Sequence, residues 1–259
     1  MNAQTRVERR ELLVRSLRGE KGLLLFWGNR ESGMNYRDNT YAFRQDSVFL
    51  YYFGLKRPDL AALMDLESGE TILFGDEYTV DDLVWRGPVA SIQEEAGIRA
   101  GVERVHPYSD FVKRLLEARM HGRPVHYLPP YREEHSLLLW QWLGVSPELA
   151  ARGASLPFIR AVAGQRNIKS AEEIVEIERA VTVSVEMHRR AMTCLRPGMR
   201  EWEVQAEVEA QATRRGMGLS FPVIATVSGE TLHNHCHEQW TREGKLFLLD
   251  CGAETAEGY

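Results

Sequence analysis

Cysteine is scarce in this 259-residue chain: Cys194, Cys236 and Cys251 are odd in number and have no C-x-x-C spacing. That argues against a disulfide scaffold and for a reducing compartment. A strong excess of one charge is also missing. Thirty-two basic residues face 37 acidic ones, a formal net charge of -5, and no Lys/Arg run suggests a phosphate-binding patch, so neither nucleic acid nor a membrane surface is an expected partner. No run of 18 apolar residues exists to span a bilayer, and Met1–Arg10 has no apolar stretch of a secretory signal. The expected location is the cytoplasm. Also lacking are a P-loop, a G-x-G-x-x-G turn, a serine or cysteine triad, internal repeats and low-complexity linkers.

What remains is a globular composition, 44% hydrophobic and 27% charged, long enough for one large domain or two smaller ones. Residues 5–18 predict an amphipathic helix with Leu12, Leu13 and Leu17 on its apolar side. Gly22–Trp27, Ser47–Phe53, Leu60–Leu66 and Thr71–Phe74 read as β-type runs separated by turn chemistry. Helices are expected over 108–121 and 133–143, with a strand at Val125–Leu128 between them. Strands alternating with helices predict an α/β domain over residues 1–157.

A different texture follows Leu156-Pro157. Ser170-Ala-Glu-Glu173 is a capping box, opening a helix in which Ile174, Ile177, Val181, Val185, His188, Met192 and Leu195 recur at helical spacing. Arg196-Pro197-Gly198 ends it. A second helix is expected from Glu201 to Arg215, then strands at Phe221–Val227 and Lys245–Asp250.

Chemistry concentrates near the end of the chain. Thr231–His237 (TLHNHCH), if extended, aligns His233, His235 and His237 on one face, a pattern able to bind zinc or copper; solvent-facing histidines without a role are the commoner outcome. Asp250 ends an apolar strand, where a carboxylate either caps the next turn or serves as a ligand on a rigid element. Asp250 and Glu254 are hard oxygen donors suited to Mg²⁺ or Mn²⁺. Cys251 reads as a small buried side chain. In the first part, 35–47 is dense in polar and aromatic residues and reads as a hydrogen-bonded loop or a substrate- or subunit-facing one. Trp85-Arg86-Gly87-Pro88 suits either an interface or the core.

Taken together, these words resemble one family. Tyr41-Ala-Phe-Arg-Gln-Asp-Ser-Val-Phe-Leu-Tyr-Tyr-Phe-Gly54 and Asp82-Leu-Val-Trp-Arg-Gly-Pro88 are similar to the N-terminal domain of the aminopeptidase P / Xaa-Pro aminopeptidase group of M24 metallopeptidases. Arg166-Asn-Ile-Lys-Ser-Ala-Glu-Glu-Ile174, Arg196-Pro-Gly198, Phe221-Pro222, Leu232-His233 and Leu248-Leu-Asp-Cys-Gly-Ala-Glu254 with Gly258-Tyr259 are similar to its catalytic domain. The resemblance implies an α/β (α+β) chain: a creatinase-like N-terminal domain over 1–157, followed by the first half of a pita-bread domain over 158–259. It implies release of an N-terminal residue from peptides with proline in second position. Two divalent ions, usually manganese, would be held by two Asp, one His and two Glu and would activate a hydroxide that attacks the Xaa-Pro carbonyl.

By the same resemblance Asp250 matches the first metal-binding aspartate. His233 matches a histidine that contacts the substrate without ligating metal, and His235 and His237 carry no ligand role. Trp85 becomes a candidate substrate or subunit contact in a homo-oligomer. Only Asp250 of the five ligands is present, since the family's second aspartate lies beyond Tyr259. The chain is therefore expected to be truncated within the catalytic domain, inactive alone and without stably bound metal. Two alternatives stay open: a non-enzymatic binding protein retaining the N-terminal domain, and a creatinase-like hydrolase, which Asp250 disfavours. Methionine aminopeptidase is disfavoured by residues 1–157.

Overall fold

A computed structural model describes residues 1–259, which divide into two compact units, Met1–Ile168 and Lys169–Tyr259. The first unit runs α1 (Ala3–Ser16), β1 (Leu23–Trp27), a hairpin of β2 (Gly33–Tyr36) and β3 (Asn39–Thr40), α2 (Ser47–Phe53), β4 (Ala61–Asp65) and β5 (Thr71–Phe74). It continues through α3 (Val80–Arg86), α4 (Ile92–Glu95) with a π turn at Ala96–Ala100, β6 (Val105–His106), α5 (Tyr108–Met120), β7 (Val125–His126), α6 (Glu133–Leu143), α7 (Pro147–Ala150) and α8 (Leu156–Asn167).

Five strands form one mixed sheet in the order β6-β5-β4-β1-β7, with β1, β4 and β5 antiparallel and β6 and β7 added in parallel at the edges. The apolar runs of β1 and β4 are continuous because both faces are covered. Leu24 and Phe26 of β1 and Ala62 and Met64 of β4 point to a core shared with α1, α2 and α8. Leu23, Leu25 and Trp27, with Ala61 and Leu63, point to a second core shared with α5 and α6. Period-two alternation thus serves two cores rather than one core and solvent.

Ser47–Phe53, expected as a strand, is the helix α2. Its first turn is capped by the Asp46 carboxylate, which accepts from the Val48 and Phe49 amides at 2.9 and 2.8 Å. It ends at Gly54 with φ +66, the left-handed region a glycine enters without penalty. The buried Arg9 and Arg10 of α1 donate to the carbonyls of Tyr51 and Tyr52 at 2.9 and 2.7 Å, satisfying groups that a helix C-terminus leaves open. Local β preference loses to these long-range partners. In α1, Leu13 and Leu17 are buried as expected, whereas Leu12 is exposed.

The first compact unit runs to Ile168 and so includes α8. Phe158 and Val162 of α8 lie in the first core, and Gln165 accepts from the Tyr52 hydroxyl at 2.8 Å and donates to the Arg9 carbonyl at 2.9 Å.

In the second unit, α9 (Ala171–Cys194) and α10 (Glu201–Arg214) pack together, and the strands form separate pairs: β8 (Gly218–Leu219) with β11 (Ala253–Glu254), and β9 (Ile224–Thr226) with β10 (Leu248–Asp250). The expected capping box opens α9: Ser170 accepts from the Glu173 amide while Glu173 accepts from the Ser170 amide. The buried side of α9 is Ala180, Val183, Met187 and Ala191, facing Val204, Val208 and Ala212 of α10. Of the apolar residues that recur at helical spacing, Ile174, Val181, Val185 and Met192 are exposed. The helix is apolar on two faces, and only one of them meets α10.

A candidate active-site face on the second unit

Asp250 is the last residue of β10 and is exposed, in register with Ile224 of β9. Side chains two apart on a strand share a face, so Asp250 and Leu248 project together. The loop leaving β9 begins on that same face, since the Cα of Gly229 lies so close to Leu248 that a Cβ there would sit 3.2 Å from its side chain. His233 is exposed within this loop. Strand pairing therefore brings the base of the His233 loop to the face from which Asp250 projects.

The loop is not extended. Leu232 and His233 form a turn, and residues 234–239 have no regular structure, so the three histidines are not aligned on a strand face. His237 is an anchor: its Nδ1 lies 3.1 Å from the Ala225 carbonyl oxygen. His235 and His237 line an open cleft of about 540 Å³ together with Gln205, Phe221 and Pro222, and neither His233 nor Asp250 reaches it.

The loop is held by a carboxylate that sequence reasoning did not single out. Glu201, the first residue of α10, is fully buried. Its Oε1 accepts from the Thr226 hydroxyl at 2.9 Å and the Val227 amide at 2.7 Å, and its Oε2 from the Gln239 amide at 3.0 Å. A negative charge at a helix N-terminus is favoured by the helix dipole. Nothing in the local pattern Met199-Arg-Glu-Trp202 marks this glutamate as buried.

Cys251 is buried beside Asp250, and desolvation, with the Asp250 charge adding to it, pushes its thiol up to about 11. His188 lies 3.7 Å from its sulfur, but His188 Nδ1 is also 2.8 Å from the Ser184 carbonyl oxygen and so carries the proton. Burial, not the imidazole, sets the state of this thiol, and a cysteine pushed up in this way is not an activated nucleophile.

Trp85, in the first unit, is 88% exposed, which excludes a core role. None of the seven residues of α3 is buried. The helix is held by a Thr79–Asp82 capping box and by Arg86, which makes two hydrogen bonds to Glu31 at 3.1 and 2.8 Å. That pairing holds the Glu31 carboxyl below the usual range. Within the 35–47 segment, Gln45 is buried and hydrogen-bonded to Asn29, Asp46 and Arg57, while Tyr36 and Tyr41 are exposed.

No three His, Cys, Asp or Glu side chains come together in a group able to hold a metal ion. The residues of this chain alone do not fit a dinuclear metal centre. No helix is long and apolar enough to cross a membrane.

Comparison with known proteins places both units. Residues 7–126 match the family described as aminopeptidase P, N-terminal domain, and residues 175–259 match metallopeptidase family M24. The Xaa-Pro aminopeptidase of Escherichia coli (strain K12) is 28% identical over 261 aligned positions, covering 95% of this chain and 58% of the relative. An aminopeptidase of Pseudomonas aeruginosa superposes with a TM-score of 0.80 at 25% identity, covering 99% of this chain and 60% of that one. Zinc-substituted Escherichia coli aminopeptidase P in complex with product has the same fold, with a TM-score of 0.79 at 24% identity over 98% of this chain and 60% of that one. The chain thus spans about three fifths of the length of these relatives.

Proposed function

Because the chain belongs to the aminopeptidase P family of M24 metallopeptidases, we propose that it is part of an Xaa-Pro aminopeptidase activity, releasing the N-terminal residue from peptides with proline in second position. The observation that carries this reading is the exposed, strand-ending Asp250 on the face where the base of the His233 loop rests. Asp250 is assigned as a metal-binding carboxylate and His233 as a substrate contact. A divalent metal, manganese foremost and two ions per site, would supply Lewis-acid chemistry there when bound. Asp250 is the one ligand these residues offer, so residues 1–259 on their own neither hold the metal pair stably nor hydrolyse peptides.

Trp85 and the uncovered α3 are assigned to a subunit or substrate contact in a homo-oligomer. An aromatic side chain this exposed, on a helix with no buried residue, fits an interface anchor. The same observation favours the second reading, a non-enzymatic protein that binds through its first unit. The cytoplasm is the compartment that the three unpaired cysteines suit.

The test is an Xaa-Pro peptide assay with added Mn²⁺, run on residues 1–259 and on the intact product from its source, whose mass is measured in parallel. Residues 1–259 are expected to be inert and a product well above 29.6 kDa active. Hydrolysis by residues 1–259 alone overturns the claim of inactivity. An intact product that leaves Xaa-Pro peptides uncut gives the function to the binding reading.

A further inference from the structure

The segment from Thr226 to Gln239 leaves β9 and returns to the start of α10, and both of its feet meet one buried carboxylate. Glu201 Oε1 takes the Thr226 hydroxyl and the Val227 amide at one foot, and Oε2 takes the Gln239 amide at the other. Thr226 carries the clamp inward. It is fully buried, and its single O–H donates to Glu201, which leaves its oxygen to accept from the Ser228 amide and from Asn234 Nδ2, both at 3.0 Å. One donor and two lone pairs are all a hydroxyl offers, and all are used. Asn234 follows His233 directly, and its Oδ1 accepts from the Cys236 amide at 3.0 Å. A continuous polar chain therefore runs from a rigid helix terminus, through a buried hydroxyl, to the residue next to His233.

We propose that Glu201, Thr226 and Asn234 are positioning residues that fix His233 over the face of β10 carrying Asp250. The proposal rests on the reading of His233 as a substrate contact. A loop held at its feet by two backbone amides and from inside by a side-chain amide loses far less freedom on meeting a substrate than a tethered but mobile one, the advantage of a preorganised site. Glu201 suits the task because both of its oxygens accept. Glu201→Gln replaces one oxygen with an NH2 that meets a backbone N–H donor to donor, which opens one foot. Thr226→Val keeps the shape and removes all three hydroxyl bonds. Thr226→Ser keeps the hydroxyl.

The experiment is NMR on the 259-residue chain: amide exchange across 226–239 and the ring signals of His233 in wild type, T226V, T226S and E201Q. T226V is expected to speed exchange at Ser228 about ten-fold or more, the scale of a lost buried hydrogen bond, and to move the His233 ring signals toward those of an unstructured histidine. E201Q moves the same signals and speeds exchange at Val227 or Gln239. T226S matches wild type. His233 ring signals that stay in place in both T226V and E201Q overturn the proposal. Should the buried variants not fold, N234A decides, because Asn234 is half-buried in the loop: moved ring signals support the clamp, and unmoved ones sink it. All these readings are taken without substrate, so they stand or fall separately from the peptidase assay, which alone judges the role of His233.

Discussion

The first unit covers both faces of a five-stranded sheet with helices, and its strand residues sort cleanly between two cores. The second unit has two helices, two short strand pairs and one small core, while Val181, Val185 and Met192 of α9 and Leu246 and Leu248 at β10 lie exposed. Apolar stretches have opposite consequences in the two. In the first, an apolar run is answered by another element on each side. In the second, several apolar faces have no such answer, and beyond the core formed by Val223, Ala225 and Cys251 the loop leaving β9 is held by polar clamps such as Glu201. Burial by area stabilises without direction, whereas hydrogen bonds set geometry.

The strongest way to break this contrast is to remove a ring from the first unit. Phe26 packs edge-on against Tyr52, Phe53 and Phe158 with centroids 5.3–5.4 Å apart. Phe26→Ala is expected to cost about 3–5 kcal/mol, read as a lower denaturant midpoint, with exchange protection in the α9–α10 pair unchanged. Joint loss of protection in both units would mean that they do not respond separately.

Capping comes next. Asp46→Ala takes away the acceptor for the Val48 and Phe49 amides and is expected to destabilise the first unit by about 0.5–2 kcal/mol. An unchanged thermal midpoint would show that the arginine contacts alone hold α2 in helix.

Acidification sharpens the comparison further. His135 is buried and stacked on Trp27. Burial holds its imidazole below the usual value of 6.5 and outweighs the opposing Glu134 and Asp46 carboxylates. The unfolded chain then binds a proton that the folded chain refuses, so this contribution is full above about pH 6.5 and is lost as pH falls through 6.5 toward the lowered folded value. Melting of the first unit should move down between pH 7 and 5, and His135→Gln should flatten that slope. A first unit whose midpoint is level across this range contradicts the assignment.

The smallest effect is expected on the exposed side of α9. Val185→Lys should change stability by no more than about 0.5 kcal/mol, in contrast to Met187→Ala two positions away, which empties a fully buried site and should cost about 2–5 kcal/mol. Similar costs for the two would show that the exposed face is covered in solution.

Legibility followed the range of the forces involved. Thr71–Phe74, the helices near 108–120 and 133–143 and the Ser170 capping box were readable because their signals lie within a few residues: a β-type run bounded by a turn, helical period and a reciprocal cap. Ser47–Phe53 misled because its β-type composition is overridden by the Asp46 cap together with Arg9 and Arg10, some forty residues away. In α9 the period was legible and the buried side was not, since periodicity places residues on faces without saying which face meets a partner. At the candidate site, Asp250 and His233 stood out by motif and position, while Glu201 did not, because nothing in its neighbours marks it as the meeting point of Val227 and Gln239.

Sequence by itself determined the strand at Thr71–Phe74, the helices near 108–120 and 133–143 and the capped helix from Ala171, the family and the residue types available for chemistry, because composition, period and motif are properties of short stretches of chain. Tertiary structure alone decided which apolar face is buried, that α2 is a helix, that Gly229 at the base of the His233 loop meets Leu248 of β10, and that one carboxylate holds both ends of that loop. Each of these depends on groups far apart in sequence meeting at hydrogen-bond or van der Waals distance, and only the folded chain sets those distances.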